Sequence, residues 1–298
     1  MSRMPVWAMV ATPFGANAER ICEPSLRALT REMLSRGCSG LIALGVIAEP
    51  DSLSLAEKSR ALAVILDSAG PAPVVAASTN RNPDEAANEL RVFAAQFSGR
   101  LHAVMVPVLS PDPVELRRAL VATHSITQLP VLLQDLPAAT GVTIAIDHLQ
   151  EAVTGLDFLY GIKCECPPTF WRIRQLREVT EAHLMTGFGG LGLVDDVLAG
   201  ADTVAAGITV PEVLVDAVDL LAAGEVGGAR EVIGRSAGLI NFETQARTSI
   251  AIRKEHWRRQ GVIDHSTVRP PSLPYLVEFD EHSRGHGFVL PCAGIQQP

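Results

Sequence analysis

The sequence predicts a (β/α)₈ barrel with a C-terminal helical extension, and three observations lead to this fold class. Short apolar segments alternate with longer amphipathic segments, the alternation repeats eight times, and all eight repeats fit within residues 1–225. Alternating strands and helices form a parallel sheet, because a crossover between parallel strands needs a connection of helical length. Eight such units in a chain of this size favour a closed barrel, since an open doubly wound sheet usually has fewer strands.

Each unit can be placed in order along the chain. The strands are predicted at residues 6–14, 40–46, 72–79, 101–108, 129–137, 156–165, 182–188 and 201–209. The helices that follow them are predicted at residues 24–37, 55–70, 83–97, 111–126, 146–155, 168–180, 193–200 and 211–224. The second helix should begin with a capping box, because Ser54 precedes Glu57 by three residues. Residues 226–298 are predicted to form helices and a proline-rich tail that pack on the barrel of residues 1–225.

Composition narrows the class of protein. The chain of 298 residues is 47% hydrophobic and 19% charged, which supports a large core and argues against disorder. A net charge of −8 without a basic stripe disfavours a nucleic-acid partner. We expect no membrane segment and no signal peptide, because the apolar runs are too short. Five cysteines, an odd number, are typical of reduced thiols, so we expect a cytoplasmic protein.

One lysine stands out at the predicted strand ends. The active site of such a barrel lies at the C-terminal ends of its strands, and Lys163 is the only lysine at any of these positions. Desolvation inside a barrel favours the neutral amine, which can attack a ketone and form a Schiff base. Taken alone, a lysine at a strand end is more often simply solvated, so this position by itself leaves its role open.

Four stretches of the chain resemble the dihydrodipicolinate synthase and N-acetylneuraminate lyase family of class I aldolases. They are ATPF at 11–14, GVIAEPDSLSLAEKSR at 45–60, LPVLLQDLPAATGVTI at 129–144 and YGIKCE at 160–165. The second resembles the family pattern G-T-T-G-E with L-S-x-x-E-[KR], the third L-P-[VI]-x-x-Y-N-x-P-x-x-T-G, and the fourth G-[IV]-K-[ED]. The resemblance implies a TIM barrel with C-terminal helices, often in tetramers, and places Lys163 at the position of the Schiff-base lysine.

The sequence also departs from the family at several positions. The tandem threonines that hold the substrate carboxylate are replaced by Val46 and Ile47, which leaves only backbone N–H groups as donors there. The proton-relaying tyrosine is replaced by Gln134, whose amide cannot shuttle a proton as a phenol can. The arginine that often holds a distal carboxylate corresponds to Ala139, and a second tyrosine after strand four has no equivalent. Dihydrodipicolinate synthase itself is therefore disfavoured.

The residues of the predicted site follow from these positions. Lys163 and Gln134 are the predicted catalytic residues, and strand alternation directs both, together with Glu165, into the barrel, whereas Tyr160 should face the helices. Substrate contacts are predicted for Thr12, Val46, Ile47, Asp135, Glu165, Gly187, Gly189 and Gly190. The proton donor is left open among Glu49, Ser78, Thr79, Asp135, Tyr160, Glu165 and a bound water.

Two further motifs suggest ligands. GFGGLG at 187–192 fits the dinucleotide pattern G-x-G-x-x-G. A dinucleotide site also needs an acidic residue at the end of the next strand, but Asp202 lies before that strand. We therefore prefer a glycine-rich tip near the substrate and keep NAD binding as an alternative. Cys164 and Cys166 lack a second pair of metal ligands. We therefore expect neither a metal nor a cofactor.

The predicted function is that of a class I lyase acting on a 2-keto acid such as pyruvate. It would cleave or form a C–C bond by aldol chemistry, or dehydrate a 2-keto-3-deoxy acid. Val46, Ile47, Leu132 and Leu136 predict a pocket that favours a small or apolar aldehyde. The alternative is a catalytically retired barrel that binds a keto acid or a protein partner without turnover. A homo-oligomer, dimer or tetramer, is expected.

Overall fold

The protein, described as a computed structural model over residues 4–289, contains a closed barrel of eight parallel strands. The strands are β1 (Val6–Met9), β2 (Gly40–Ala43), β3 (Val74–Ala77), β4 (Ala103–Pro107), β5 (Val131–Asp135), β6 (Leu159–Cys164), β7 (His183–Thr186) and β8 (Thr203–Ala206). Each strand pairs in parallel with the next, and β8 closes the barrel by pairing with β1. The predicted fold class is confirmed.

Helices connect the strands and continue beyond the last one. They are α1 (Glu23–Ser35), α2 (Leu55–Ala69), α3 (Pro83–Gln96), α4 (Pro113–Thr127), α5 (Pro137–Thr140), α6 (Ile146–Val153), α7 (Thr169–Arg177), α8 (Leu193–Leu198), α9 (Glu212–Ala222), α10 (Val226–Glu243), α11 (Ser249–Arg259) and α12 (Asp280–Gly285). Short 3₁₀ turns lie at Val46–Ala48, Pro50–Ser52, Phe188–Gly190 and Val277–Phe279. No helix in the described part of the chain is both long enough and apolar enough to cross a membrane.

Capping side chains determine where several helices begin. The predicted capping box of α2 is present, with Ser54 Oγ accepting from Glu57 N–H at 3.2 Å and Glu57 Oε2 accepting from Ser54 N–H at 3.0 Å. Asn82 caps α3 and Asp112 caps α4, each followed by a proline in the first turn. The three caps fix the residues at which the loops after β2, β3 and β4 end and the next helices begin.

The inside of the barrel is filled by side chains. The interior cluster consists of Trp7, Met9, Ile42, Val75, Ala77, Ala103, Met105, Leu132, Met185 and Ala205, with Ile47 and Tyr160 packed against it. A larger apolar cluster occupies the space between the strands and the surrounding helices. Because the interior is packed, the open ends of the strands are the places that remain for chemistry.

The predicted outward orientation of Tyr160 is wrong. Val131 of β5 pairs with Leu159 of β6, but Leu132 pairs with Gly161, so the register shifts at Tyr160. Such a bulge inverts the alternation of the residues that precede it. The Tyr160 ring packs against Trp7, with the ring centroids 6.1 Å apart, inside the barrel near the strand starts. Tyr160 is therefore a packing residue at the end opposite Lys163.

Candidate active site

Strand β6 directs Lys163 into the barrel close to its C-terminal end. Ile162 and Cys164, its two neighbours, belong to the outer apolar cluster between strands and helices, so alternation places Lys163 on the inner face. The residue is only 3% exposed. Lys163 is therefore sequestered inside the barrel and not solvated at the surface.

Glu165 is the hydrogen-bond partner of this lysine. Lys163 Nζ donates to Glu165 Oε2 at 2.9 Å, and Gln134 Nε2 donates to the same oxygen at 2.8 Å. The other carboxylate oxygen accepts from the backbone N–H of Phe188 at 3.1 Å. Lys163, Gln134 and Glu165 thus form one buried group, here called the lysine cluster. The sequence placed all three inside the barrel, and the structure shows that they are bonded to one another.

The backbone ladder explains why Glu165 reaches the interior. Strand β6 ends at Cys164, yet the N–H of Glu165 still donates to the carbonyl of Asp135 at 2.9 Å. The ladder with β5 therefore continues for one residue, and alternation keeps Glu165 on the same face as Lys163. The carboxylate offsets the charge of the buried ammonium, and its three hydrogen bonds provide the good geometry that a buried ion pair requires.

The 3₁₀ turn Val46–Ala48 lies at the tip of β2. The N–H groups of Ala48 and Glu49 close the turn on Gly45 and Val46, which leaves those of Val46 and Ile47 outside the hydrogen bonds of the turn. Ile47 packs against the interior cluster and so closely on Gly207 that a side chain at position 207 would overlap it. An apolar side chain therefore covers this part of the barrel mouth.

The glycine-rich tip of β7 lies against Glu165. A Cβ atom at Gly187 would overlap the Glu165 side chain, so glycine is needed for this close approach. Gly189 and Gly190 have left-handed φ angles of 68° and 82° and pack against Ile240 and Leu214, respectively. This packing accounts for both glycines without a dinucleotide, and a contact of the tip with substrate stays a prediction.

The lysine cluster is closely surrounded. Thr12, beyond the end of β1, is 2% exposed, and the three residues of the lysine cluster are at most 5% exposed. Of five cavities of 170–590 Å³ along residues 4–289, none is lined by a member of the cluster. Lys163 is therefore enclosed by side chains, and Ile47 at the barrel mouth is only partly buried.

Comparison with known proteins identifies the family of this chain. A model of the dihydrodipicolinate synthetase family matches residues 4–284. The chain belongs to the dihydrodipicolinate synthetase family. A 4-hydroxy-tetrahydrodipicolinate synthase from Kineococcus radiotolerans is 26% identical over 284 residues, or 92% of this chain and 88% of that protein. Another from Methanopyrus kandleri is 26% identical over 236 residues, or 74% of this chain and 75% of that protein.

Solved structures of similar fold extend the comparison. A dihydrodipicolinate synthase from Rhodopseudomonas palustris superposes with a TM-score of 0.86 at 22% identity, covering 95% of this chain and 96% of its own. A sialic acid aldolase from Ruminococcus gnavus, solved as a catalytic lysine mutant, gives 0.82 at 14% identity and covers 96% and 98%. The protein thus has the class I aldolase fold of the dihydrodipicolinate synthetase family.

Two of the other candidate proton donors in this family member are already engaged in ion pairs. Glu49 pairs with Lys254 of α11 and accepts the backbone N–H of Arg269 at 2.8 Å. Asp135 Oδ2 accepts from Arg172 Nη2 at 2.7 Å and so ties β5 to α7. Burial raises the pKa of Asp135, and Arg172 opposes this rise. No hydrogen bond joins either carboxylate to the lysine cluster within residues 4–289.

Ser78 and Thr79, two further candidate proton donors, do not form hydrogen bonds with Lys163 in the described part of the chain. Ser78 Oγ donates to Glu89 at 2.8 Å, and Glu89 forms a buried ion pair with Lys58 at 2.8 Å. Thr79 Oγ1 is buried without a hydrogen-bond partner in the described part of the chain. Glu165 is therefore the candidate that contacts Lys163 directly.

Sequence reasoning missed a group of buried charges on the C-terminal helices. Lys254 pairs with Glu49 and donates to the carbonyl of Thr267 at 3.0 Å, while burial lowers the pKa of Lys254 to about 8. Glu243 Oε1 lies 2.6 Å from His256 Nδ1, and its Oε2 accepts the N–H of Thr209 at 2.9 Å. The signal in the sequence is the charged run RKEH at 253–256, but such a run is usually solvent-exposed.

The His, Cys, Asp and Glu side chains are the candidate metal ligands of the chain. Within residues 4–289, no group of three or more His, Cys, Asp or Glu side chains is arranged to hold a metal ion.

Proposed function

We propose that the protein is a class I lyase in which Lys163 forms a Schiff base with a 2-keto acid such as pyruvate. The observation that carries this proposal is the buried Lys163 amine, placed at a strand tip with a carboxylate oxygen 2.9 Å away. Membership in a family of class I aldolases supports the same chemistry.

Glu165 takes the role of proton carrier in this proposal. A lysine attacks a ketone only as the neutral amine, so the ammonium first passes a proton to Glu165 across the hydrogen bond between them. Attack on the keto carbon gives a carbinolamine. Glu165 returns the proton to the departing hydroxyl, water leaves, and the iminium forms. The iminium then accepts the electron pair of a neighbouring bond.

Two reactions can follow from the iminium. In aldol cleavage, the C3–C4 bond of the substrate breaks as the C4 hydroxyl loses its proton, and an aldehyde leaves. In dehydration, C3 loses a proton and the C4 hydroxyl departs as water. Both reactions need a group that accepts and returns one proton near Lys163, and Glu165 supplies it.

Gln134 is assigned a positioning role. Its amide cannot relay a proton, but it donates to the same Glu165 oxygen as Lys163 does. This bond fixes the orientation of the carboxylate. The proton-transfer role that other family members give to a tyrosine is thereby moved to Glu165.

Several finer features of the proposal follow from the departures in the sequence. The apolar Ile47 at the mouth favours a small or apolar aldehyde partner over a sugar acid. The replacement of the family tyrosine by Gln134 and of the arginine by Ala139 disfavours dihydrodipicolinate synthase activity itself. We further propose a cytoplasmic homo-oligomer, a dimer or tetramer, that works without metal or cofactor.

Trapping with borohydride tests the proposal. The chain has only three lysines, Lys58, Lys163 and Lys254, and each is paired with a glutamate. Incubation with pyruvate and borohydride should add reduced pyruvate to the peptide that contains Lys163. Lys58 and Lys254 serve as internal controls, because they are also buried and paired but do not lie at a strand tip. An unmodified Lys163 in a folded sample would contradict the proposal.

A second candidate is a barrel that binds a keto acid without turnover. The enclosed lysine cluster and the replaced tyrosine favour it. This candidate predicts that pyruvate raises the melting temperature, whereas a panel of aldol and dehydration substrates gives no product.

A further inference from the structure

Arg253 on α11 is a buried cation without a local hydrogen-bond partner. The residue is 6% exposed, so it is more than nine-tenths buried. Its Nε donates no hydrogen bond to any atom within residues 4–289. A buried guanidinium normally has its five donors matched by carboxylates or carbonyl groups, because an unpaired buried charge is strongly unfavourable. The Nε of Arg253 is therefore a buried donor without an acceptor in the described part of the chain.

The surroundings of Arg253 place it next to the lysine cluster. The carboxylates of Glu243 and Glu165 are the acidic groups that act on its charge. Helix α11 also packs against the Val46–Ala48 turn at the tip of β2. The next residue, Lys254, fixes the helix there through its ion pair with Glu49, directly after that turn. Arg253 thus lies on the helix that packs against the turn, and its charge is within range of Glu165 in the lysine cluster.

Neither neighbouring carboxylate offers Arg253 a hydrogen bond. Glu165 accepts from Lys163, Gln134 and the Phe188 N–H group. Glu243 accepts from the backbone N–H and the hydroxyl of Thr209 and contacts His256. Both acids bind other groups and neither binds Arg253, so its Nε is available to an acceptor from outside the described part of the chain.

We infer that Arg253 binds the carboxylate of the 2-keto acid, so that α11 supplies the anion recognition that Val46 and Ile47 lack in their side chains. This inference rests on the proposed function, because the keto acid is the anion that must lie beside Lys163. An arginine fork matches a planar carboxylate with two parallel hydrogen bonds. A C-terminal helix thereby contributes to substrate specificity, and the active site is shared between the barrel and its extension.

Discrimination between an acid and its neutral ester is the first test, and it needs only the wild-type protein. Pyruvate and methyl pyruvate carry the same keto group, but only pyruvate carries a carboxylate. Half-saturation of borohydride trapping should need about 10- to 150-fold more methyl pyruvate, as expected for the loss of a charged hydrogen bond. Equal half-saturation by the two compounds would overturn the inference.

Substitution of Arg253 is the second test, read out with oxamate, which resembles pyruvate but cannot form a Schiff base. Calorimetry should show that Arg253→Met weakens oxamate binding about 10- to 150-fold, while Arg253→Lys keeps part of the affinity. Arg258→Met is the matched control, since Arg258 lies on the same helix but is paired with Glu255 and partly exposed. Unchanged oxamate binding in folded Arg253→Met would overturn the inference.

The two proposals fail in different ways. If wild-type protein binds oxamate through Arg253 but pyruvate is never trapped, the lyase proposal falls and the anion site remains. If pyruvate is trapped at Lys163 but Arg253→Met has wild-type affinity for oxamate, the lyase proposal remains and Arg253 has no part in binding. Should Arg253→Met fail to fold, Arg253→Lys decides, because it keeps the charge but loses the planar fork: oxamate affinity should fall, and wild-type affinity would overturn the inference.

Discussion

Replacement of Glu165 by glutamine tests the proton-transfer step most directly. Glutamine keeps the size of the side chain and one acceptor oxygen, but it removes the negative charge and the ability to take a proton from Lys163. In the structure this change affects the contact to Lys163 Nζ at 2.9 Å and the contact to Gln134 Nε2 at 2.8 Å.

The expected magnitude has two parts. Loss of a positioned acid–base group lowers a rate by about 10²- to 10⁴-fold, or ~3–5 kcal/mol in activation free energy. Loss of one partner from a buried ion pair lowers the free energy of unfolding by up to about 3–5 kcal/mol, less to the extent that Lys163 sheds its proton. Glu165→Gln should therefore form the pyruvate adduct slowly and also unfold more readily.

A matched variant separates these two effects. Glu89→Gln breaks the buried pair of Glu89 with Lys58, which has a similar contact of 2.8 Å but does not involve Lys163. It should unfold more readily and yet form the adduct at the wild-type rate. The assay is a time course of adduct mass after rapid quenching with borohydride. A Glu165→Gln rate within tenfold of wild type would refute Glu165 as the proton carrier.

Three further outcomes are expected. Asp135→Asn leaves Arg172 buried without its anion, so denaturant titration should show a loss of about 3–5 kcal/mol in unfolding free energy. Adduct formation at Lys163 should be retained. Unchanged stability would contradict the structural role of this pair. Ile47→Thr restores a hydroxyl at the barrel mouth and should lower the pyruvate concentration that half-saturates trapping, and a higher concentration would argue against this turn as the carboxylate site. Burial alone would raise the pKa of Glu255, but its arginine hydrogen bonds outweigh burial and lower the pKa from 4.5 to about 2. The contribution of Glu255 to the free energy of unfolding is therefore fully present above pH 4.5 and is lost as the pH falls from 4.5 towards 2. Acid titration should show that Glu255→Gln loses less stability in this window than the wild type does. An equal loss would exclude Glu255 as a source of acid sensitivity.

In the proposed site, the C-terminal extension takes part in substrate binding. The extension was expected only to pack on the barrel, yet α11 carries Lys254, which pairs with Glu49, and Arg253, whose charge is within range of Glu165. Truncation of this segment should therefore impair substrate binding in addition to stability. Two measurements on Arg253→Met distinguish these effects: calorimetry reports oxamate binding, and the melting temperature reports stability. Binding should weaken, but the melting temperature should not fall, because methionine replaces an unpaired buried cation.

The sequence by itself determined the barrel and the position of Lys163. Both depend on local patterns: the alternation of strands and helices, and the spacing of residues along one strand. The same alternation correctly placed Gln134 and Glu165 on the inner face beside Lys163. These inferences needed no knowledge of which segments meet in space.

Only the tertiary structure decided the partners. The bulge at Tyr160 is a property of two strands in register, so the pattern of β6 alone could not reveal it. Lys254 and Glu49 lie 205 residues apart, and a charged helical run has the same pattern whether it faces water or protein. Hydrogen-bond partners depend on distances between segments, and a single sequence specifies those distances only through the complete fold.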